Sequence, residues 1–294
     1  MTKHDSLGRC TFGHITPQAI SSTTVRENQW LEFLNIHSLA NSFYLHELTR
    51  DIGRNLKKSR LQMQKLRSGN LIELPFAQRL STYSPWSNAY VYQLTDAGKK
   101  WLDLPDAVVP TGHWLHKYMT SCVTASIDVM ARRDCCRFIP AHEILEKQGS
   151  TLGLTIDGRK LIPDQLFAID YGGRYRAFAV EVDRGTEPRT STDARKSYES
   201  SILQYKKFLG KKLYQNHYGL NTNMLALFVF ASEHDQEIFL ELVKKHGAGK
   251  NFLTQSVPNF DTRYGRPYTP PKLFEHLWSD PWKTVDGNYY IGKI

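Results

Sequence analysis

Only four cysteines occur in the 294 residues, Cys10, Cys122, Cys135 and Cys136. They offer no two-plus-two metal spacing, and the neighbours Cys135 and Cys136 make a poor disulfide framework, which points to a reduced, cytoplasmic chain. Long apolar runs are scarce as well. Met224–Ala231, among the longest, reaches about half of the ~18 residues a membrane span requires, so no membrane partner is expected. Met1–Arg9 lacks the apolar core of a signal peptide, and export is not expected. The 11 histidines form no His-x-x-x-His pair with a third ligand at zinc spacing, which argues against a zinc enzyme. A Gly-x-x-x-x-Gly-Lys-Ser/Thr run is missing, which argues against a P-loop ATPase. Internal repeats and low-complexity tracts are not visible.

What is present is a globular composition, 40% hydrophobic and 23% charged, in a chain long enough for two domains. Lys and Arg number 38 against 29 Asp and Glu, a net +9, which makes a polyanion the leading partner class. Split near Pro110, the halves carry +4 and +5 (13 basic less 9 acidic, then 25 less 20). The charge is concentrated in two runs. Arg50–Arg67 holds Arg50, Arg54, Lys57, Lys58, Arg60, Lys65 and Arg67 against Asp51 alone, and Arg195–Lys212 holds six basic residues against Glu199 alone. Each run lies on an expected helix, which suits a phosphate-facing role.

Val25–Leu39 reads as a first helix, with Trp30, Phe33 and Leu34 as its buried stripe and Glu32 in water. His37 extends the stripe as a partly exposed residue without a functional role. Asn41–Asp51 is a second, short helix with Leu45 and Leu48 as core contacts. Asn55–Ser68 is a third, with Leu56, Leu61, Met63 and Leu66 among basic and polar residues, stopped by a left-handed cap at Gly69-Asn70. Leu71–Phe76 and Ala89–Leu94 are β-rich segments flanking a polar turn region, Gln78–Asn88. Three helices and then a hairpin is the order of a winged helix-turn-helix, in which the third helix enters the major groove and the hairpin tip touches the backbone. Arg54, Lys57, Lys58 and Arg60 are the expected contacts to double-stranded DNA, with Arg79 in the wing. The expected organisation is a tail over residues 1–24, a winged-helix domain over 25–110 and a second domain over 111–294, joined by a connector with Pro105 and Pro110.

Trp114–Arg133 then reads as a long helix, and Pro140–Glu146 begins a short helical piece. Gln165–Ile169 and Tyr175–Val182 form a hairpin around Gly172-Gly173. Antiparallel pairing brings Asp164, at the start of one strand, close to Glu181, near the end of the next. Asp183, two residues on, shares the face of Glu181. Such oxygen ligands suit Mg²⁺ or Mn²⁺, which activate water and stabilise charge in phosphodiester cleavage. The competing reading is an ion-paired strand end in which Arg184 and Arg189 neutralise Glu181, Asp183 and Glu187. Beyond it, Tyr198, Ile202, Tyr205 and Leu209 form the stripe of a helix over Asp193–Leu209, whose Lys206 and Lys207 would steer DNA. Met224–Ala231 is a strand buried on both faces, His234–His246 an amphipathic helix and Phe252–Val257 a last strand. Trp278 and Trp282 pack the tail back. This β-β-α-β-α-β order makes an α/β sheet domain.

Pro163-Asp164 followed by Glu181-Val182-Asp183 resembles the PD-(D/E)XK nuclease superfamily, with Asp183 where the motif lysine stands. Some members take that lysine from the following helix, and Lys196 is positioned for it; Glu143 matches an extra acidic ligand that some carry. The resemblance implies metal ligation by Asp164, Glu181 and Glu143, and catalysis by Asp164, Glu181, Asp183 and Lys196. The longer pattern adds Glu181-Val182-Asp183-Arg184-Gly185-Thr186-Glu187, then Lys196 and Tyr205, and is similar to the plasmid replication-relaxation family. That likeness implies an α+β protein, an N-terminal winged helix-turn-helix followed by an α/β restriction-endonuclease-like domain, acting with other proteins of a replication or mobile-element complex. The expected activity is Mg²⁺-dependent DNA cleavage. The alternative is a regulator of replication or transcription whose nuclease-like domain has lost chemistry, as the missing motif lysine suggests. A palindromic footprint would mark a homodimer.

Overall fold

The computed structural model describes residues 17–76, 90–185, 187–190, 196–257 and 272–292. The chain forms two compact units, residues 1–125 with 267–273 and residues 126–266 with 274–294. The division between residues 125 and 126 falls inside a long helix.

In the first unit, α1 (Val25–His37) starts at Thr24, whose side chain and Glu27 form a reciprocal capping box. A two-residue strand β1 (Ala40–Asn41) leads into α2 (Ser42–Leu48), capped by Asn41, and Asn55 caps α3 (Leu56–Ser68). β2 (Ile72–Glu73) and β3 (Val91–Leu94) follow, and the three short strands pair antiparallel in the order β1-β3-β2. α4 (Asp96–Trp101) and α5 (Trp114–Arg133) come next. Trp30, Leu31, Phe33, Leu34, Tyr44, Leu45, Met63 and Leu66 fill the core, as period-3.6 stripes on three short helices require.

Several sequence expectations are corrected in this unit. His37 is not partly exposed: it is buried, with Nδ1 2.9 Å from the Thr124 hydroxyl and its ring against Phe33. Leu61 does not join the α3 core but stands 58% exposed. The left-handed cap expected at Gly69-Asn70 is present, with Asn70 (φ 56°) as the left-handed residue and Gly69 at an ordinary φ of −80°. A Cβ at Gly69 would lie 2.0 Å from Ile20 Cδ1, so a larger residue there would have to displace the end of that side chain. Arg79 falls outside the described residues.

The second unit is built on a seven-stranded mixed sheet, ordered β12-β11-β10-β9-β8-β7-β4. Its strands are β4 (Arg137–Pro140), β7 (Gln165–Asp170), β8 (Tyr175–Asp183), β9 (Met224–Phe230), β10 (Phe252–Ser256), β11 (Trp282–Thr284) and β12 (Gly287–Tyr289). β8, β9 and β10 run parallel, and the flanking pairs are antiparallel. β9 is buried at all seven positions, as a central strand covered on both faces must be. A separate ribbon, β5 (Leu154–Ile156) with β6 (Arg159–Leu161), precedes β7. The helices are α6 (Ala141–Glu146), α7 (Tyr198–Gly210), α8 (Leu213–Tyr218), α9 (Glu233–Lys245) and α10 (His276–Ser279). The sequence pattern did not disclose β4, the ribbon, or β11 and β12. Trp282, fully buried on β11, donates from Nε1 to the Leu277 carbonyl at 2.8 Å, and Trp278 donates to Asp134 at 2.6 Å. The tail is thus bound into the sheet.

Candidate functional site

Three carboxylates meet where β7 begins and β8 ends. Gln165 pairs with Val180 and the Asp164 N–H donates to the Val180 carbonyl at 2.9 Å, which sets Asp164 opposite Glu181. Asp164 Oδ2 accepts the Val182 N–H at 2.8 Å. Alternation along β8 turns Glu181 and Asp183 to the same side, and α7 covers that side with its stripe of Tyr198, Ile202, Tyr205, Phe208 and Leu209. The Tyr205 hydroxyl donates to Glu181 Oε1 at 2.6 Å, and the Tyr198 hydroxyl donates to Asp183 Oδ2. Asp164, Glu181 and Asp183 are all buried.

The cation of the cluster is Lys196. Its Nζ lies 2.7 Å from Glu181 Oε2 and 3.0 Å from Glu187 Oε1. Arg184 and Arg189, the cations of the competing reading, are not needed for that pairing. Lys196 is not on the helix as expected: α7 starts at Tyr198 behind an N-cap at Ser197, whose extended backbone (φ −142°, ψ 163°) and capping box with Ser200 fix the start there. Standing just ahead of the cap lets the lysine reach back over the ends of the strands. Its side chain is 46% exposed as a whole, while the ammonium is desolvated among the acids.

Burial pushes the Glu181 carboxyl up to about 7; Lys196 opposes this and Asp164 adds to it. Burial likewise raises Glu187, again against Lys196. Burial alone would lower Lys196, but Glu181, Asp164 and Glu187 outweigh it and hold the ammonium well above its ordinary range. Among the described residues Lys196 is the cation paired with Glu181 and Glu187, and buried carboxylates are costly unless a cation or a proton accompanies them. Among the described residues, no group of three or more His, Cys, Asp or Glu is disposed to hold a metal. Both Glu181 oxygens are engaged, by Lys196 and Tyr205, and one Asp164 oxygen accepts the Val182 N–H.

The remaining expected residues are dispersed. Glu143 pairs with Arg137 at 2.5 Å, at the junction of β4 and α6. Lys206 Nζ donates to the His246 carbonyl at 2.7 Å, and Lys207 pairs with Asp157 on the β5–β6 ribbon. Arg54, Lys57, Lys58 and Arg60 are all exposed around the first turns of α3, and Arg60 lies over the Phe43 ring, 5.5 Å from its centroid. The sequence reading passed over the roles of Tyr198 and Tyr205. Two tyrosines, rather than leucine or phenylalanine, seven residues apart on a stripe facing acids are the signal that was available. It also missed Arg26, which is buried and donates to Thr49 (2.8 Å), Gln62 (3.1 Å), the Gly53 carbonyl (2.9 Å) and Ser59 (2.7 Å). That side chain ties α1 to α2 and α3.

These features define an α+β protein with a large mixed sheet, a basic helix in one unit and a buried acid–lysine cluster in the other. The replication-relaxation family model matches residues 31–224, and the chain belongs to that family, as the Glu181–Glu187 string implied. No curated protein matches it. Among solved structures, restriction endonuclease FokI aligns at 10% identity and a TM-score of 0.25, over 82% of this chain and 45% of that one. The chain thus spans less than half of that structure's length. No helix among the described residues is long and apolar enough to cross a membrane.

Proposed function

We propose that the protein binds duplex DNA through a winged helix over residues 25–110 and hydrolyses phosphodiester bonds, with Mg²⁺ or Mn²⁺, in a restriction-endonuclease-like domain over residues 111–294. The observation that carries this reading is the joining of Asp164 and Glu181 across β7 and β8 with Lys196 Nζ 2.7 Å from Glu181. A divalent cation bound there would supply activated water and charge stabilisation. Asp164 and Glu181 would hold it; Glu143, engaged by Arg137, is left out of the shell. Lys196 stays protonated and offers fixed positive charge to a phosphate. Tyr205 and Tyr198 hold the Glu181 and Asp183 carboxylates in single orientations. Asp183, at the position of the motif lysine, carries no proton-donating role.

The test is nicking of supercoiled plasmid by the full chain with Mg²⁺ or Mn²⁺. Native protein should relax it, Asp164→Ala and Glu181→Gln should abolish the activity, and Lys196→Ala should slow it on the order of 100-fold. For the DNA-binding half, affinity should fall steeply with salt, and loss of Arg54, Lys57 and Lys58 should flatten that slope by about one unit per phosphate contact removed. A second reading, a regulator without chemistry, is favoured by Asp183 at the lysine position and by both Glu181 oxygens being engaged by protein groups. Salt-dependent binding without nicking at any enzyme concentration would select it.

A further inference from the structure

The outer face of α3 is organised in three strips. Ser59, Met63 and Leu66 are buried and mark the inner face, while Ser68, in the last turn, is buried on the other side. At about 100° per residue, the point opposite them is Leu61, with Lys57 and Gln64 beside it at spacings of four and three. Leu61 is 58% exposed, and Gln64 is also exposed. Lys58 and Lys65 form one flank of this central strip, and Arg60 and Arg67 form the other. The flanks are held in place: Lys65 Nζ lies 2.9 Å from Glu27, Arg60 sits over Phe43 and Arg67 over Tyr90. No acidic residue occurs anywhere on α3.

An exposed leucine alone carries no message. Its place does, because basic rails flank a strip whose first turn carries Lys57 and whose next turns carry Leu61 and Gln64, which matches a major groove with phosphates along both edges and base edges between. A helix that only neutralised phosphate would have no use for leucine and glutamine at its centre. We propose that Leu61 and Gln64 are specificity-determining residues that read base edges, Leu61 a thymine methyl and Gln64 the N6/N7 edge of an adenine. The inference rests on the DNA-binding reading of the first unit and adds to it the bases that are read. Leu61 and Gln64 lie about 4.5 Å apart along the helix axis, so the two contacts fall on the same or adjacent base pairs.

The experiment begins with enrichment of bound duplexes from a random-sequence pool by the full chain. Affinity for the enriched site is then measured with each thymine replaced in turn by uracil, which removes only the methyl group. Native protein should lose about fivefold or more at one thymine. Leu61→Ala should bind the thymine and uracil duplexes alike, and Gln64→Ala should relax preference at one adenine. Both variants should keep native affinity for bulk DNA and the native salt slope. Steep salt dependence with no enriched sequence, or a thymine preference that survives Leu61→Ala, overturns this inference while leaving DNA binding intact. A Leu61→Ala variant that changes the oligomeric state assigns the leucine to a protein contact and also overturns it. No binding to any duplex overturns both this and the reading beneath it.

Discussion

Glu181 is the residue on which the second unit's electrostatics turn. Its two oxygens accept from Tyr205 at 2.6 Å and from Lys196 at 2.7 Å. A hydrogen bond to a charged, buried acceptor is worth about 1.5–3 kcal/mol, so Tyr205→Phe should destabilise this unit by roughly that amount while leaving its packing intact. Removing the cation by Lys196→Met should cost less, about 1–2 kcal/mol, because its side chain is half exposed and solvent screens part of the attraction. Hydrogen exchange in β8 and β9 isolates the unit for both measurements. A Tyr205→Phe protein as stable as native would mean that the hydroxyl contributes nothing to the carboxylate. The pair Asp164 and Glu181 was legible in the sequence because a hairpin around Gly172-Gly173 must bring those strand ends together. Lys196 was legible as a charge in the right neighbourhood. The tyrosines were legible only as an apolar stripe, since their acceptors are decided by how α7 lies on β8.

At the scale of elements, α4 shows how closely the first unit is packed. Its Gly98 lies against the chain entering β2: a Cβ there would stand 2.1 Å from the Leu71 carbonyl oxygen and 2.8 Å from Leu94 Cδ1. Backbone cannot yield as a flexible side chain does, so Gly98→Ala should destabilise the unit by about 1–3 kcal/mol, despite alanine's better helix propensity. Thermal unfolding of the full chain, with exchange protection in β2 and β3 as the local readout, checks this. Protection equal to native would show that α4 shifts freely. The longer helices were readable because thirteen or more residues repeat a stripe several times. β1 and β2 have two residues each, too few for any period. β4 hid behind Pro140, which the sequence assigned to a helix start, and in the folded chain it closes one edge of the large sheet, where a missing N–H is tolerated. Leu61 was misassigned for a different reason. A periodicity counts apolar residues, and Leu61 lies on the side of α3 away from the buried Met63 and Leu66.

Across the whole molecule, the two units should answer acid in opposite senses. In the first, His46 is buried, and its Nδ1 faces Ser59 Oγ at 2.8 Å and Arg26, which can only donate, at 3.4 Å. Burial, opposed by Glu47 and reinforced by Arg26, Arg50 and Arg60, pulls the imidazole below its usual value of 6.5. The unfolded chain therefore takes up a proton that the folded unit refuses, and stability is lost as pH falls below about 6.5. In the second unit, the Glu181 carboxyl is pushed up to about 7 from 4.5. Between those values the folded unit keeps a proton that the unfolded chain has released, so stability rises as pH falls through that window. Lowering the pH from 8 to 5 should thus weaken exchange protection in α2 and α3 and strengthen it in β8 and β9, once intrinsic exchange rates are divided out. His46→Gln should remove the first trend and leave the second, and Glu181→Gln should do the reverse. Parallel loss of protection in both units would mean that neither group's buried environment governs its titration.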